Sequence, residues 1–154
     1  MASPEDTMIL DTTKGKVVIA MRPDLAPSHV ARIKELVREG FYDGIKFHRV
    51  IDGFMAQTGC PQGMGTGGSG KKLKAEFNKE PHVRGTTSMA RAASPDSGDS
   101  QFFICFDDAA FLNGQYTVWG KVTDGMDNVD KIKRGEPVQN PDKIVSAKMA
   151  ADAA

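Results

Sequence analysis

Short apolar runs separated by turn residues dominate the chain. Residues 7–11 and 16–21 flank Thr12-Thr13-Lys14-Gly15, which predicts two strands joined by a hairpin, the second ended by Pro23. Behind Ala26-Pro27-Ser28 the pattern changes. Val30, Ile33, Leu36 and Val37 recur at helical spacing, with Gly40 as the stop. Residues 45–50 and 54–58 read as strands, followed by a loop with glycines at 59, 63, 65, 67, 68 and 70. Further strands are predicted over 85–92, 101–105 and 116–122. Asp124-Gly125 opens a short helix through Val129 and Ile132, and 143–148 is the last strand. Residues 1–6 and the Ala-rich 149–154 are expected to fray. Many short strands with only two helices indicate a mainly β domain spanning residues 1–154, an antiparallel barrel or sandwich rather than alternating βαβ units. The pattern does not choose between the two.

Composition narrows the function classes. Lys+Arg and Asp+Glu both number 20, so the formal net charge is zero. This balance argues against a broad electrostatic grip on nucleic acid or an anionic membrane. Lys71, Lys72 and Lys74 are the densest basic cluster and read as a solvated loop. The polar, acidic start lacks the basic and apolar regions of a secretory signal. No apolar run approaches the ~20 residues of a membrane span. A cytoplasmic location is therefore expected, and a monomer, against which no exposed apolar stripe argues. Cys60 and Cys105 do not make a disulfide framework, and neither has a second Cys or His at zinc-ligand spacing.

The candidate chemistry centres on Arg49, which lies between strand-like apolar residues with only Asp52 as a nearby acid. Arg is always charged, so it can bind or polarise but cannot transfer a proton. Strand alternation places Phe47, Arg49 and Ile51 on one face. It also groups Gln101, Phe103 and Cys105, with Phe102 and Ile104 opposite. Arg49, Phe54, Met55, Gln57, Gln101, Phe103 and Leu112 brought together would make a shallow apolar cup with polar edges. The alternatives are barrel core for Met55 and Phe103, and a rim ion pair for Arg49. Other motifs are weaker. Gly65 to Lys71 fits the first seven positions of a phosphate-binding loop, but Lys72 stands where Ser or Thr would hold magnesium. His29, His48 and His82 have no metal-ligand spacing. Alternation turns His48 away from Arg49. Ser69 and Ser100 lack a nucleophile-elbow context.

The segments FHRVIDGFMAQTG, GTGG, SMARA, SQFFI and FLNGQYTVWGKVTDGMDNVDKI, in this order, resemble a cyclophilin, one of the peptidyl-prolyl cis-trans isomerases. The likeness runs from about Met8 to Lys148 and is nearest to the small bacterial cytoplasmic members. It implies a closed eight-stranded antiparallel barrel with a helix over each end. It also implies catalysis of Xaa-Pro rotation in unfolded or flexible protein clients, assisting folding as a chaperone, without cofactor or metal. By the same resemblance, Arg49 and Gln57 are catalytic. Phe54, Met55, Phe103 and Leu112 line the proline pocket, and Ala90, Arg91, Ala92 and Gln101 border it. At the rim, Phe111 and Tyr116 match positions that are Trp and His in the animal cyclophilins most sensitive to cyclosporin. Weak binding of that drug is therefore expected. A proline-peptide binding module and nucleotide binding through residues 65–71 are the competing readings.

Overall fold

The computed structural model describes residues 3–61, 63, 67–92, 94–136 and 138–152. The N-terminal hairpin forms as expected. β1 (Thr7–Thr12) and β2 (Gly15–Met21) pair antiparallel from Thr7↔Ala20 to Thr12↔Gly15. The Thr12 hydroxyl donates to the Gly15 carbonyl at 2.7 Å and closes the turn. α1 (Pro27–Arg38) buries His29, Val30, Ile33, Leu36 and Val37, which is the stripe its spacing predicts. Its first amides are capped from a distance. The Glu76 carboxylate accepts from Ser28 N at 3.1 Å and His29 N at 2.8 Å. The helix ends where Gly40 takes φ +75° and Phe41 N reaches back to Leu36 O at 3.0 Å.

The remaining strands are β3 (Arg49–Ile51), β4 (Met55–Thr58), β5 (Thr86–Met89), β6 (Phe102–Cys105), β7 (Val118–Asp124) and β8 (Ile144–Met149). They form one antiparallel sheet of eight strands in the order β3-β4-β6-β5-β7-β2-β1-β8. The expected closed barrel is thus corrected to an open half-barrel with β3 and β8 as its edges. Among the described residues, the seam is bridged ahead of β3, at Lys46↔Lys143, with Gly44 N on Ile144 O at 2.6 Å and Phe47 N on Asp142 O and Ile144 N on Ile45 O, both at 2.8 Å. The reason lies in residues 45–50, read from sequence as one strand. Their first part bonds across the seam to 142–144. Further on, His48 and Val50 bond to Val138 and Gly135, so Gly135 occupies the outer edge of β3 and Val138 lies beside the residue that precedes it. A strand of three residues, already flanked, cannot zip onto β8.

The main core fills the concave side. Phe102 is fully buried and meets Trp119 and Tyr42 edge-on, with ring centroids 5.3 and 5.5 Å apart. Met8, Leu10, Ile19, Ile33 and Ile104 are also fully buried in this cluster. α2 (Met126–Asp130) ends before Ile132, which is nevertheless buried. Of the end segments expected to fray, residues 1, 2, 153 and 154 lie outside the described residues. Pro4–Asp6 and Ala150–Asp152 form short 3-10 turns, and ion pairs join Asp6 to Lys34 at 2.6 Å and Asp152 to Arg38 at 2.9 Å.

Gly59 links this frame to the site. At φ +98° it adopts a conformation that favours glycine, and an added Cβ would lie 2.3 Å from Ser100 O. The chain leaving β4 can therefore press against Ser100 and Gln101. The Ser100 hydroxyl donates to Gly59 O at 2.7 Å across the same contact.

Candidate active site

Strand register assembles the site as a transverse row. Arg49 on β3 pairs with Gln57 on β4, Gln57 with Phe103 on β6, and Phe103 with Ser88 on β5. Residues paired across antiparallel strands point to the same face. Met55 pairs with Cys105 one row along the same face, since strand neighbours two apart share it. The predicted alternation is found on β6: Phe102 and Ile104 belong to the main core, whereas Phe103 and Cys105 belong to a second buried cluster with Met55, Ala109 and Leu112. It fails at Phe47, which precedes β3 and is buried in the main core rather than sharing the face of Arg49 and Ile51. Met55 and Phe103 are only 2% and 4% exposed, yet they lie outside the barrel core, which removes the core alternative.

This second cluster floors a hollow of about 120 Å³ lined by Arg49, Phe54, Met55, Gln57, Ala90, Arg91, Phe103, Leu112 and Tyr116. Leu112 comes from a 3-10 turn, Ala110–Leu112. An adjoining hollow of about 320 Å³ shares Gln57, Ala90 and Arg91 and adds Ala92, Gln101, Gly67, Gly68, Lys72, Ser97 and Asp99. Ala92 and Gln101 therefore border the neighbouring space rather than the cup. Phe111 lines neither. It is 68% exposed and stands against Phe54 with ring centroids 5.5 Å apart. The Arg91 guanidinium lies 4.7 Å above the Tyr116 ring.

A hydrogen-bonded thread crosses the cup. Arg49 Nε donates to Glu136 Oε2 at 2.6 Å, and Arg49 Nη1 donates to Gln57 Oε1 at 3.1 Å. Gln57 Nε2 donates to Gln101 Oε1 at 2.9 Å, and Gln101 Nε2 to Gly67 O at 2.9 Å. Asp52, the one acid close to Arg49 in sequence, pairs with Arg134 instead at 3.1 Å. Arg49 is thus both a rim ion pair and a wall of the cup. No Nη2 hydrogen bond forms among the described residues, so that edge of the guanidinium remains available to a substrate.

Sequence reasoning missed the support beneath the floor. His82 stacks behind Phe103 with ring centroids 6.1 Å apart and 19° between planes. The Asn113 side-chain oxygen can only accept, so the neutral imidazole carries its proton on Nδ1, and Nε2 faces the Ser88 hydroxyl, 3.0 Å away, which also lies 3.0 Å from Thr117 O. Nδ1 faces Asn113 Oδ1 at 3.1 Å, an oxygen oriented by His82 N at 2.7 Å. Neither His82 nor Glu136 carries a local motif; each is brought to the site by contacts distant in sequence.

Burial, the leading cause in each case, pulls the pKa of His29, His48 and His82 below the ordinary value. Glu76 opposes this at His29, Asn113 opposes it at His82, and the Arg49 charge adds to it at His48. A depressed folded-state pKa means the unfolded chain takes up protons first as pH falls. The associated stability is complete above the unfolded value of 6.5 and is lost as pH drops through it. Thermal midpoints are expected to be level at pH 7–8 and to fall progressively below about pH 6.5. A midpoint that rises towards pH 5 would contradict this assignment.

The glycine loop is poorly suited to phosphate. Gly65 and Thr66 lie outside the described residues, but Ser69 N and Gly70 N already donate to the Asp99 carboxylate at 2.7 and 3.0 Å. A phosphate would have to displace that internal anion. Cys60 and Cys105 are buried and not disulfide-bonded to each other, and burial pushes the Cys105 thiol up to about 12. Among the described residues, no helix is long and apolar enough to cross a membrane.

Comparison with known proteins accords with this geometry. The family model "Cyclophilin type peptidyl-prolyl cis-trans isomerase/CLD" matches residues 7–149. A Brucella suis protein named "Probable peptidyl-prolyl cis-trans isomerase" is 58% identical over 168 aligned positions, covering 98% of this chain and 86% of the relative. A peptidyl-prolyl cis-trans isomerase of Synechococcus elongatus is 44% identical, covering 95% and 97% of the two chains. The crystal structure of a Hirschia baltica cyclophilin superposes with a TM-score of 0.92 at 33% identity, over 99% of this chain and 77% of that one. A Cryptosporidium parvum cyclophilin, crystallised in the presence of the dipeptide Ala-Pro, superposes with a TM-score of 0.86 at 27% identity, over 93% and 98%. An Arg-edged apolar cup on the outer face of this half-barrel, with a family match over nearly its whole length, leads to one conclusion: the chain belongs to the cyclophilin-type peptidyl-prolyl cis-trans isomerases.

Proposed function

We propose that the cup accelerates rotation about Xaa-Pro bonds in unfolded or flexible protein segments, with the chain acting as a single-domain, monomeric, cytoplasmic folding assistant. The observation that carries this reading is the placement of Arg49, with its Nη2 edge uncommitted, in the same hollow as Met55, Phe103 and Leu112. Rotation destroys amide resonance and meets a barrier of roughly 18–20 kcal/mol. At the twisted midpoint the proline nitrogen regains a lone pair. A guanidinium at that nitrogen then stabilises the midpoint more than either planar form, which is what lowers the barrier. No bond breaks, so the chemistry needs no nucleophile, base or metal. Met55, Phe103 and Leu112 would hold the pyrrolidine ring away from water. One Gln57 amide proton is committed to Gln101, and the other can donate to the peptide carbonyl. Ala90 and Arg91 line both hollows and Ala92 lines the larger one, where an extended peptide could pair with their backbone.

The test is isomerisation of a proline tetrapeptide, combined with NMR exchange measurements on the bound peptide. Faster cis/trans exchange in the complex is the expected result. Binding without faster exchange would sink the enzyme reading and leave a proline-peptide module.

Cyclosporin is expected to bind weakly. Phe111 is exposed at the rim and lacks the indole N–H that Trp would offer. A lost hydrogen bond of about 0.5–1.5 kcal/mol, with some apolar area, corresponds to roughly tenfold weaker binding. Phe111→Trp should tighten the drug and barely alter turnover of a short peptide. Equal drug affinities for the two proteins would show that Phe111 is not the determinant.

A further inference from the structure

We propose that Glu136 is a positioning residue for the reaction, holding the Arg49 guanidinium so that its free edge faces the substrate. The inference rests on the isomerase reading. β3 is an edge strand, so Arg49 has a sheet neighbour on one side only, Gln57. The open side is occupied by a loop tied to β3 at the next residue. Val50 and Gly135 exchange two backbone hydrogen bonds, each 2.8 Å. Glu136 follows Gly135 directly, so the backbone itself delivers the carboxylate to Arg49. With Nε on Glu136 at 2.6 Å and Nη1 on Gln57 at 3.1 Å, the planar guanidinium is held at two points from opposite neighbours.

Two effects of the carboxylate compete. Its charge weakens the field of Arg49, so removing it could raise the rate. Its bond fixes orientation, so removing it could lower the rate. Exposure decides between them: the Arg49 and Glu136 side chains are 41% and 58% exposed, so water screens the charge effect. Orientation is less forgiving, since a misplacement of about 1 Å can cost on the order of a hundredfold. Loss of the bond should therefore dominate. An exposed pair couples by at most about 1 kcal/mol, which sets the expected size at about fivefold.

The experiment compares wild type, Glu136→Ala, Glu136→Gln, Arg49→Ala and the Arg49→Ala/Glu136→Ala double variant on a proline tetrapeptide. Glu136→Ala should lower kcat about fivefold with KM nearly unchanged. Glu136→Gln retains an oxygen acceptor and should recover most of the loss. The double variant should be no slower than Arg49→Ala alone. The Arg49 Nε–H NMR signal should exchange slowly with water in wild type and Glu136→Gln, and rapidly in Glu136→Ala. An unchanged or raised kcat in Glu136→Ala, or an equal further loss on the Arg49→Ala background, overturns the role of Glu136. A wild type no faster than buffer overturns the isomerase reading itself, and the catalytic role of Glu136 falls with it.

Discussion

Arg49→Ala is expected to lower kcat/KM on a proline tetrapeptide by about one to two decades while the protein remains folded. A hydrogen bond to a charged group nets about 1.5–3 kcal/mol, and each decade of rate takes about 1.36 kcal/mol. The larger part of any remaining acceleration must come from the preorganised cup of Met55, Phe103 and Leu112, which the substitution leaves in place. Stability should change little, because the lost ion pair with Glu136 is exposed on both sides. Arg49→Lys should recover only part of the rate: an ammonium keeps the charge but cannot bridge Glu136 and Gln57 with one rigid plane. A variant as fast as wild type would remove Arg49 from the mechanism. A variant that unfolds at much lower temperature would show that its loss of rate is structural.

Phe102→Ala should produce the opposite profile, a large loss of stability from a residue that never meets the substrate. Phe102 is fully buried against Trp119 and Tyr42 on the concave side of the sheet. Truncating such a ring costs about 3–5 kcal/mol, because the cavity is bounded by rigid strands and cannot collapse fully. At this chain length that corresponds to a fall in Tm on the order of 10 °C. Tyr42 cannot readily shift to fill the gap, since its hydroxyl is held by Ser100 O at 2.9 Å. Denaturant unfolding of the variant checks the figure, and a loss below about 1 kcal/mol would mean that the core repacks around the gap.

Phe102 and Phe103 also show how far local pattern reaches. Strand alternation separates the two rings, and the structure puts one in the core and the other in the cup. The α1 stripe and the N-terminal hairpin were equally legible, because helical and strand periods mark the buried side of an element directly. The motif segments identified the cup residues, and those on β3, β4 and β6 lie in adjacent rows of the sheet. What periodicity does not specify is which distant element an edge will meet. Residues 45–50 look like one strand, but they divide their bonds among 142–144, Gly135, Val138 and β4, and so the sheet stays open. The acid paired with Arg49 is likewise 87 residues away, not the neighbouring Asp52. His82 behind Phe103 depends on Ser88 and Asn113, contacts made only when separate segments converge. The sequence by itself determined which face of β6 each residue takes and what chemistry each side chain can offer, because those properties are local. Tertiary structure alone decided the orientation of Arg49, the support of the floor and the open seam, because each depends on partners joined only when the chain folds.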